Sequence, residues 1–288
     1  MLTIREFLLR LALCPGLGPV SKYRIWLLAR SQWAFNDIHL ILNDHRLNHQ
    51  AKQALEKHWS SDELSRRVAL NVQQAFITIV DHDYPALLKE IYCPPLVLFY
   101  AGRRDLLAGQ MLEIVGARQM TSYGEGVLRG IVPAMVQNNL TIVSGLAAGV
   151  DGLSHRLTLQ NHGKTIAVVG CGLDLVYPRQ HQQLQAEVIR EGLVLSEYGL
   201  GEAPLAFHFP ERNRIIAGLS ETILVVEARQ RSGSLITANL GLDENRNICA
   251  IPGRIDAPYS MGCNDLIKAG ATPIHEAADL LAEFRKLP

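Results

Sequence analysis

Apolar positions divide the chain into an N-terminal and a C-terminal part. In residues 1–75 they recur at helical spacing, beginning with Ile4, Leu8 and Leu11, and Pro15-Gly16 ends this first helix. Further helices are predicted at residues 20–29, 35–42 and 51–58. No strand pattern interrupts them, so this part is predicted to be a small all-helical domain.

From residue 76 onward, short apolar runs alternate with segments of helical length. Strands are predicted at residues 77–80, 96–100, 112–115, 141–143, 165–169, 193–196, 222–226 and 248–251. Helices are predicted at residues 122–137, 180–190, 234–244 and 276–284, and around Val150, Leu153 and Leu157. Continuous apolar runs are typical of strands that helices cover on both faces. Residues 76–288 are therefore predicted to form a doubly wound, mostly parallel, Rossmann-like α/β domain.

Residues 141–178 form the central unit of this pattern, with two predicted strands that each end at a glycine-rich turn. Glycine lacks a Cβ atom, so main-chain amides can approach a ligand closely, and the following helix presents its positive end there. We therefore expect a phosphate-bearing ligand above residues 144–149 and 170–172. The alternative is that these glycines only close tight turns.

Composition narrows the class of protein. The chain has 28 Lys+Arg and 28 Asp+Glu residues, so no net charge attracts nucleic acid and any polyanion site must be local. The five cysteines lie far apart without a C-x-x-C pair, which argues against a structural zinc site and a disulfide framework. The sequence contains no signal peptide and no apolar run of membrane-spanning length. A cytoplasmic protein without membrane contact is predicted.

Arginines near the ends of several predicted strands are candidates for a local anion site. Arg118 lies two residues after Gly116, and Arg179 follows Tyr177-Pro178. A guanidinium group donates a fork of hydrogen bonds that matches a phosphate. Four more arginines lie near the same predicted edge, namely Arg212, Arg214, Arg229 and Arg231. Each one alone also fits an exposed position or an ion pair, but the set is expected to converge.

Aromatic side chains near the same edge are candidates for stacking on unpaired bases, a contact that tolerates any base sequence. They are Tyr177, Phe207, His208 and Phe209. For Phe207 and Phe209, a position in the apolar core is the favoured alternative.

The turn Pro15-Gly16-Leu17-Gly18 is shaped like the turn of a helix-hairpin-helix motif. In that motif the turn amides contact a DNA phosphate without reading the base sequence. The alternative is a plain turn between two helices.

Catalytic motifs are missing from the sequence. It contains no G-x-S-x-G, H-E-x-x-H or G-x-G-x-x-G pattern and no Walker lysine motif. Asp151 and His155 lie four residues apart and resemble a base with its orienting partner, but an Asp at a helix start is more often a cap. We therefore predict a protein that is not an enzyme and requires no cofactor and no metal.

Sequence blocks spread over residues 83–273 carry a resemblance to one family. They are D-Y-P at 83–85, G-A-R at 116–118, S-G-L-A-A-G-V-D at 144–151, G-C-G-L-D at 170–174, F-P-E-R-N-R-I-I at 209–216, S-G-S-L-I-T-A at 232–238 and I-P-G at 251–253. This set is similar to the DNA-processing protein A (DprA/Smf) family. The helical front part also resembles the sterile-alpha-motif-like domain that precedes the Rossmann-like domain in this family.

The resemblance implies a non-enzymatic protein that binds single-stranded DNA of any sequence, protects incoming DNA during natural transformation and loads the RecA recombinase onto it. It also implies a homodimer formed through the Rossmann-like domain. Arg118 and Arg179 resemble the basic residues with which the family contacts DNA. The complete set of predicted DNA-binding positions is Gly116, Arg118, Ser144, Gly145, Gly149, Gly170, Gly172, Arg179, Arg212, Arg214, Gly233 and Ser234. Ala117 and His181 replace the serine and asparagine that are common in the family, so two polar contacts are in doubt.

Two alternatives from other functional classes stay open on the sequence. Lysine-decarboxylase-like enzymes bind or hydrolyse nucleotides on a related Rossmann-like scaffold with a P-G-G-x-G-T loop. The nearest loop here, residues 232–237, lacks the second glycine, which counts against hydrolysis. The other alternative is an adaptor that holds RecA and contacts DNA only incidentally.

Overall fold

Five helices form the N-terminal part of the structure, a computed structural model that describes residues 2–285. They are α1 (Ile4–Leu13), α2 (Pro19–Gln32), α3 (Ile38–Leu42), α4 (His49–His58) and α5 (Asp62–Asn71). Side-chain oxygens of Thr3, Asn48 and Ser61 accept hydrogen bonds from first-turn amides and so begin α1, α4 and α5. Helix α5 was not predicted, because most of its residues are polar and only Leu64 among its apolar side chains is buried.

A nine-stranded sheet forms the centre of the molecule. Its strands are β1 (Phe76–Thr78), β2 (Val97–Gly102), β3 (Met111–Val115), β4 (Thr141–Ser144), β5 (Lys164–Val169), β6 (Leu193–Ser196), β7 (Thr222–Val225), β8 (Asn247–Ala250) and β9 (Thr272–Pro273). Their order is β1-β2-β6-β5-β4-β3-β7-β8-β9. The pairs β1–β2 and β2–β6 are antiparallel, and all other neighbours are parallel. The predicted mostly parallel sheet is confirmed.

Helices cover both faces of the sheet, which confirms the doubly wound arrangement. They are α6 (Ala86–Glu90), α7 (Ser122–Gln137), α8 (Val150–Gln160), α9 (Gln182–Glu191), α10 (His208–Leu219), α11 (Gly233–Asp243), α12 (Met261–Lys268) and α13 (Ala277–Arg285). Apolar side chains of α7, α8, α9 and α13 pack on one face, and those of α10, α11 and α12 pack on the other. None of the helices within residues 2–285 combines the length and the apolar character needed to cross a membrane.

The helical part packs directly on the sheet rather than standing apart from it. Phe7 and Leu8 of α1 belong to the same buried apolar cluster as Val97 and Phe99 of β2. The side chain of Asn71 is also buried at this contact, where its Oδ1 atom accepts a hydrogen bond from the Leu200 amide at 2.8 Å. The division into separate domains at residue 75 stays a prediction.

Candidate functional site

A cleft of about 770 Å³ opens at the C-terminal ends of the central strands. Its walls are the turn after β3, the turn after β7, the beginning of α11 and the first two turns of α10. Strand β3 has β4 on one side and β7 on the other, so the strand order reverses at this point. Open α/β sheets bind their ligands at such switch points, because the loops on either side of the crevice diverge there.

One wall of the cleft carries Arg118 above aromatic rings. The Arg118 side chain is exposed, and its guanidinium carbon lies 5.6 Å from the centroid of the Phe209 ring. The Phe209 ring in turn lies 5.1 Å from the ring of Tyr177, which is 42% exposed. Arg118 forms no ion pair with any residue in the described part of the chain. A positive charge and a partly exposed aromatic surface therefore lie side by side.

The opposite wall carries a second arginine on an aromatic ring. The guanidinium carbon of Arg229 lies 4.3 Å from the centroid of the Tyr259 ring, and its Nη2 atom donates to the Tyr259 hydroxyl at 2.8 Å. That hydroxyl donates to Oε1 of Gln119 at 3.0 Å. Tyr259 and Gln119 were not predicted as site residues, because they meet across 140 positions of sequence and no local pattern marks them.

The beginning of α11 forms the floor between these walls. Gly233 is exposed and Ser234 is buried. Both were predicted as site residues, and both line the cleft. The N-cap residue Ser232 makes no side-chain hydrogen bond to the first-turn amides, and its hydroxyl instead lies 3.0 Å from the Ser234 hydroxyl. The positive end of the α11 dipole thus opens on the cleft, and no carboxylate among the described residues caps it.

The turn after β4 differs from the expectation that its amides are available to a phosphate. Oδ2 of Asp151 accepts hydrogen bonds from the Gly145 amide at 3.1 Å and from the Ala147 amide at 3.4 Å. A carboxylate of the protein therefore takes the place that a phosphate oxygen would fill. The glycine-rich turn is built to bind an anion, but its own chain supplies that anion.

The beginning of α7 is occupied in the same way. Glu227, which is only 2% exposed, accepts a hydrogen bond from the Thr121 amide at 2.8 Å and another from the Thr121 hydroxyl. This contact joins the turn after β7 to the turn after β3, which carries Arg118. Glu227 was not predicted as a site residue. The acid at the end of an apolar strand is the signal that marks it in the sequence.

Arg212 and Arg214 do not contribute free charge to the cleft, contrary to the expectation of convergence. Arg212 lines the cleft but is 4% exposed, and its Nη1 atom donates to the carbonyl oxygens of Gly145 and Val168. Arg214 is not among the residues that line the cleft, and it pairs with the carboxylate of Glu197. Both lie on α10, where residues two apart project in nearly opposite directions.

A buried acid lies beneath the cleft. Glu113 of β3 is fully buried, and neither carboxyl oxygen has a hydrogen-bond partner among the described residues. Burial raises the pKa of Glu113 well above its usual range, the charge of Asp151 raises it further, and Arg212 opposes both effects. Burial likewise raises the pKa of Asp151, again opposed by Arg212. Arg212 therefore balances buried acids and supports the turn after β4.

Several other predicted positions have structural roles or lie apart from the cleft. The Ser144 hydroxyl is buried and donates to the Ile114 carbonyl at 2.7 Å, and Ser144 is not among the residues that line the cleft. The Gly172 amide donates to the Glu202 carbonyl at 2.9 Å, and Gly170 is buried under Phe209. Arg179 is exposed without an ion pair among residues 2–285, but it lies outside the cleft wall.

The four aromatic candidates divide between two cavities. Tyr177 and Phe209 line the cleft, whereas Phe207 and His208 line a second cavity on the other side of the α10 start. Phe207 is 58% exposed, so the favoured alternative of a core position is wrong for this residue.

Asp151 and His155 do not form a base with its partner. His155 is fully buried, and its Nδ1 atom lies 2.6 Å from the Thr165 hydroxyl instead. Asp151 binds amides of the turn before α8, and the N-cap residue of that helix is Gly149, so the alternative of a helix cap is also wrong for Asp151. Within residues 2–285, no group of three His, Cys, Asp or Glu side chains is placed to hold a metal ion.

Comparison with known proteins places the chain among DNA-processing proteins. Residues 75–285 match the family model described as DNA recombination-mediator protein A. The DNA processing protein DprA of Streptococcus pneumoniae is 48% identical over 207 residues, which are 72% of this chain and 73% of that protein. Protein Smf of Synechocystis is 46% identical over 217 residues, 74% of this chain but 54% of that protein. The chain thus spans about half the length of this second relative.

Two solved structures are similar over long stretches. The X-ray structure of DprA from Streptococcus pneumoniae has a TM-score of 0.89 and 38% identity, with 98% of this chain and 99% of that chain covered. DNA processing protein A from Helicobacter pylori has a TM-score of 0.67 and 28% identity, with 75% of this chain and 98% of that chain covered. The description of the Helicobacter pylori structure names a single-stranded DNA binding mode.

Proposed function

The chain belongs to the DNA recombination-mediator protein A family, and on this basis we propose that it binds single-stranded DNA of any sequence in the cleft between the β3 and β7 turns. One observation carries the proposal. Arg118 in the turn after β3 and Arg229 in the turn after β7 each lie over an aromatic ring, and neither has a carboxylate partner among the described residues. The Helicobacter pylori relative supports the class of ligand.

The charge distribution favours a phosphate backbone at this place. The chain is neutral, and many of its arginines are neutralised by a neighbouring acid, as Arg46 is by Asp44 and Arg129 by Glu125. Arg118 and Arg229 keep their full charge, and the uncapped beginning of α11 adds a partial positive charge between them. Phosphates can therefore be bound locally by a protein without net charge.

The aromatic rings favour an unpaired strand over a duplex. Tyr177 and Phe209 present ring surface in the cleft beside Arg118. Unpaired bases can stack on such rings whatever their identity, whereas the bases of a duplex are already stacked on each other. The arrangement therefore supports binding that is strand-selective but not sequence-selective.

We further propose that the bound strand is protected and passed to RecA during natural transformation, and that the protein acts as a cytoplasmic homodimer. The family description as a recombination mediator supports this role. Arg179, exposed beside Tyr177, extends the proposed path of the strand beyond the cleft.

Substitution Arg118→Ala tests the DNA site. It should weaken binding to oligothymidylate and oligoadenylate by a similar factor and reduce the log–log salt slope by about 0.7, the value for one lost phosphate contact on a single strand. Fluorescence anisotropy with labelled oligonucleotides measures both quantities. Arg30→Ala is the matched control, because Arg30 is also exposed without an ion pair among the described residues but lies on α2. Equal affinities of Arg118→Ala and the parent protein would refute the assignment.

A RecA assay separates a DNA-dependent loader from an adaptor. Filament growth of RecA on single-stranded DNA should be stimulated by the parent protein and no longer by the double variant Arg118→Ala/Arg179→Ala. A double variant that still stimulates fully would show that DNA contact is incidental.

A further inference from the structure

A second cavity, of about 380 Å³, lies between the α1–α2 turn and the beginning of α10. Residues 15–18 of the helical part form one wall, and Tyr198, Phe207 and His208 form the facing wall. We call it the seam cavity. Its volume lies in the range of about 300–1,000 Å³ that is typical of sites for small organic ligands.

The wall on the α/β side is a continuous aromatic surface. The rings of Tyr198 and His208 are stacked with their centroids 3.9 Å apart, and Phe207 meets His208 edge-on at 4.5 Å. Phe207 is 58% exposed although it is large and apolar. Such a surface suits a planar aromatic ligand, because stacking needs an exposed ring face.

The wall on the helical side offers unused hydrogen-bond donors. The main chain of Gly16 and Leu17 forms no hydrogen bond with any described residue. The Lys22 ammonium donates to the Ala12 carbonyl, which leaves two of its three N–H groups for other acceptors. On the facing wall the carboxylate of Glu211 accepts from the Tyr198 hydroxyl at 3.0 Å.

The charges of the seam cavity are balanced rather than positive. Arg67 pairs with Glu202 inside it, and the carboxylate of Glu197 pairs with Arg214 outside the lining, which leaves Lys22 and Glu211 as one cation and one anion. A neutral planar group with polar edges fits this balance better than a bare anion does. The turn amides of Gly16 and Leu17 can at the same time donate hydrogen bonds to one phosphate oxygen.

The seam cavity and the cleft are separated only by the beginning of α10. Ala206 and Phe209 line the cleft, whereas Phe207 and His208, which lie between them in the chain, line the seam cavity. The imidazole of His208 also donates from Nδ1 to the Gly170 carbonyl at 3.1 Å. This hydrogen bond joins the beginning of α10 to the turn after β5. A strand that leaves the cleft past Phe209 therefore meets Phe207 next.

We propose that the seam cavity receives one nucleotide of the same single strand that the cleft binds. Its base stacks on the exposed ring of Phe207 and meets the Tyr198–His208 pair edge-on, and its phosphate faces the amides of Gly16 and Leu17. This inference rests on the proposed function of the cleft. It gives the N-terminal helices a direct part in DNA binding.

Phe207→Ala tests the seam cavity in the full chain with oligothymidylates of about 4 and about 12 nucleotides, lengths that bracket common single-strand site sizes. Affinity for the longer strand should fall by at least about 5-fold, as expected for one lost stacking contact, and affinity for the shorter strand should not change. Tyr92→Ala is the matched control, because Tyr92 is 76% exposed and lies outside both cavities.

The outcome for Arg118→Ala distinguishes failure of this inference from failure of the proposed function. Suppose that Arg118→Ala loses binding to both lengths, while Phe207→Ala binds both lengths with the affinity of the parent protein. This result would overturn the proposal for the seam cavity alone. Absence of strand binding by the parent would overturn the function of the cleft and the inference with it.

A measurement on the parent protein keeps the test decisive even if Phe207→Ala fails to fold. A 2-aminopurine placed at each position of the longer strand in turn should be shielded from acrylamide quenching at one position outside the cleft-bound segment. Uniform quenching over all those outer positions would refute the inference. Deoxythymidine monophosphate carries the same base and phosphate as one nucleotide of the strand. If it filled the seam cavity at the concentrations at which the oligonucleotide binds, the continuity of the seam cavity with the cleft would be refuted.

Discussion

Single arginines of this chain differ in function because of what surrounds their guanidinium groups. Arg118 is exposed over a ring, whereas Arg212, only 4% exposed, donates to carbonyls 67 and 44 positions away in the sequence. Arg214 pairs with Glu197 on the other side of the same helix. Before folding these side chains are chemically equivalent. The DNA contact proposed for Arg118, the turn support by Arg212 and the ion pair of Arg214 follow from surroundings that only the fold creates.

His155 shows how burial at the residue scale creates a dependence on pH. The Thr165 hydroxyl donates to the Ile142 carbonyl at 2.9 Å, so Nδ1 of His155 must carry the proton, and Nε2 is left without a partner. Burial, helped by the nearby guanidinium charges of Arg212 and Arg156, lowers the pKa of His155 to about 3. An unfolded histidine has a pKa of about 6.5.

Stability should therefore fall as the pH is lowered below about 6.5, because the unfolded chain then binds a proton that the folded chain rejects. For this one group the loss is at most about 1.4 kcal/mol per pH unit. His155→Leu should make the pH dependence of the urea midpoint shallower between about pH 5 and 6.5, whereas His49→Leu, at an exposed position, should not. Parallel pH profiles for His155→Leu and the parent protein would contradict this explanation.

At the scale of elements, α10 has the largest effect on the site. It was not predicted, because residues 215–219 are all buried and leave no alternation between apolar and polar faces. It also begins without a side-chain cap. Once formed, this helix places Phe209 in the cleft, Phe207 in the seam cavity and Arg212 under the turn after β4.

The turns that hold the site can be tested with two matched glycines. Gly149 has φ +77° and Gly201 has φ +76°, a range that side-chain-bearing residues rarely adopt, so an alanine at either position is strained. A Cβ atom at Gly149 would lie 2.2 Å from the Ala117 carbonyl oxygen, whereas nothing lies within 4 Å of one at Gly201.

Gly149→Ala should therefore lower the free energy of unfolding by more than about 4 kcal/mol, the range of severe steric damage, and Gly201→Ala by only about 1–2 kcal/mol. It should also weaken oligonucleotide binding, because the displaced turn carries Arg118. Urea unfolding and anisotropy measure the two effects. Equal losses at both positions would show that the close approach to Ala117 is unimportant.

At the scale of the whole molecule, the helical part and the sheet share one apolar cluster, which extends from Phe7 and Leu8 to Phe99. We expect them to unfold together for this reason. The three tryptophans, Trp26, Trp33 and Trp59, all lie in the helical part, so their fluorescence reports on that part alone.

Urea curves from tryptophan fluorescence and from far-UV circular dichroism should therefore coincide. Asn71→Ala, which removes a buried acceptor of the Leu200 amide, should shift both curves equally and lower stability by about 1–3 kcal/mol. Two separate transitions would contradict this expectation and would support an independent domain at residues 1–75.

The sequence by itself determined most strands and helices of this protein. Runs such as residues 193–196 and the segment 122–137 have exactly these bounds in the structure, because apolar periodicity and turn residues act over short distances. It also indicated Gly116, Arg118, Gly233 and Ser234, all of which line the cleft.

Only the tertiary structure decided how the other groups are used. Asp151 occupies the amides of the turn after β4, Glu227 occupies the start of α7, and the Tyr259 ring lies under the guanidinium group of Arg229. Each of these contacts joins groups from different turns or elements. Hydrogen bonds and charge interactions act over a few ångströms in space, so their partners are set by the packing of the fold and not by neighbourhood along the chain.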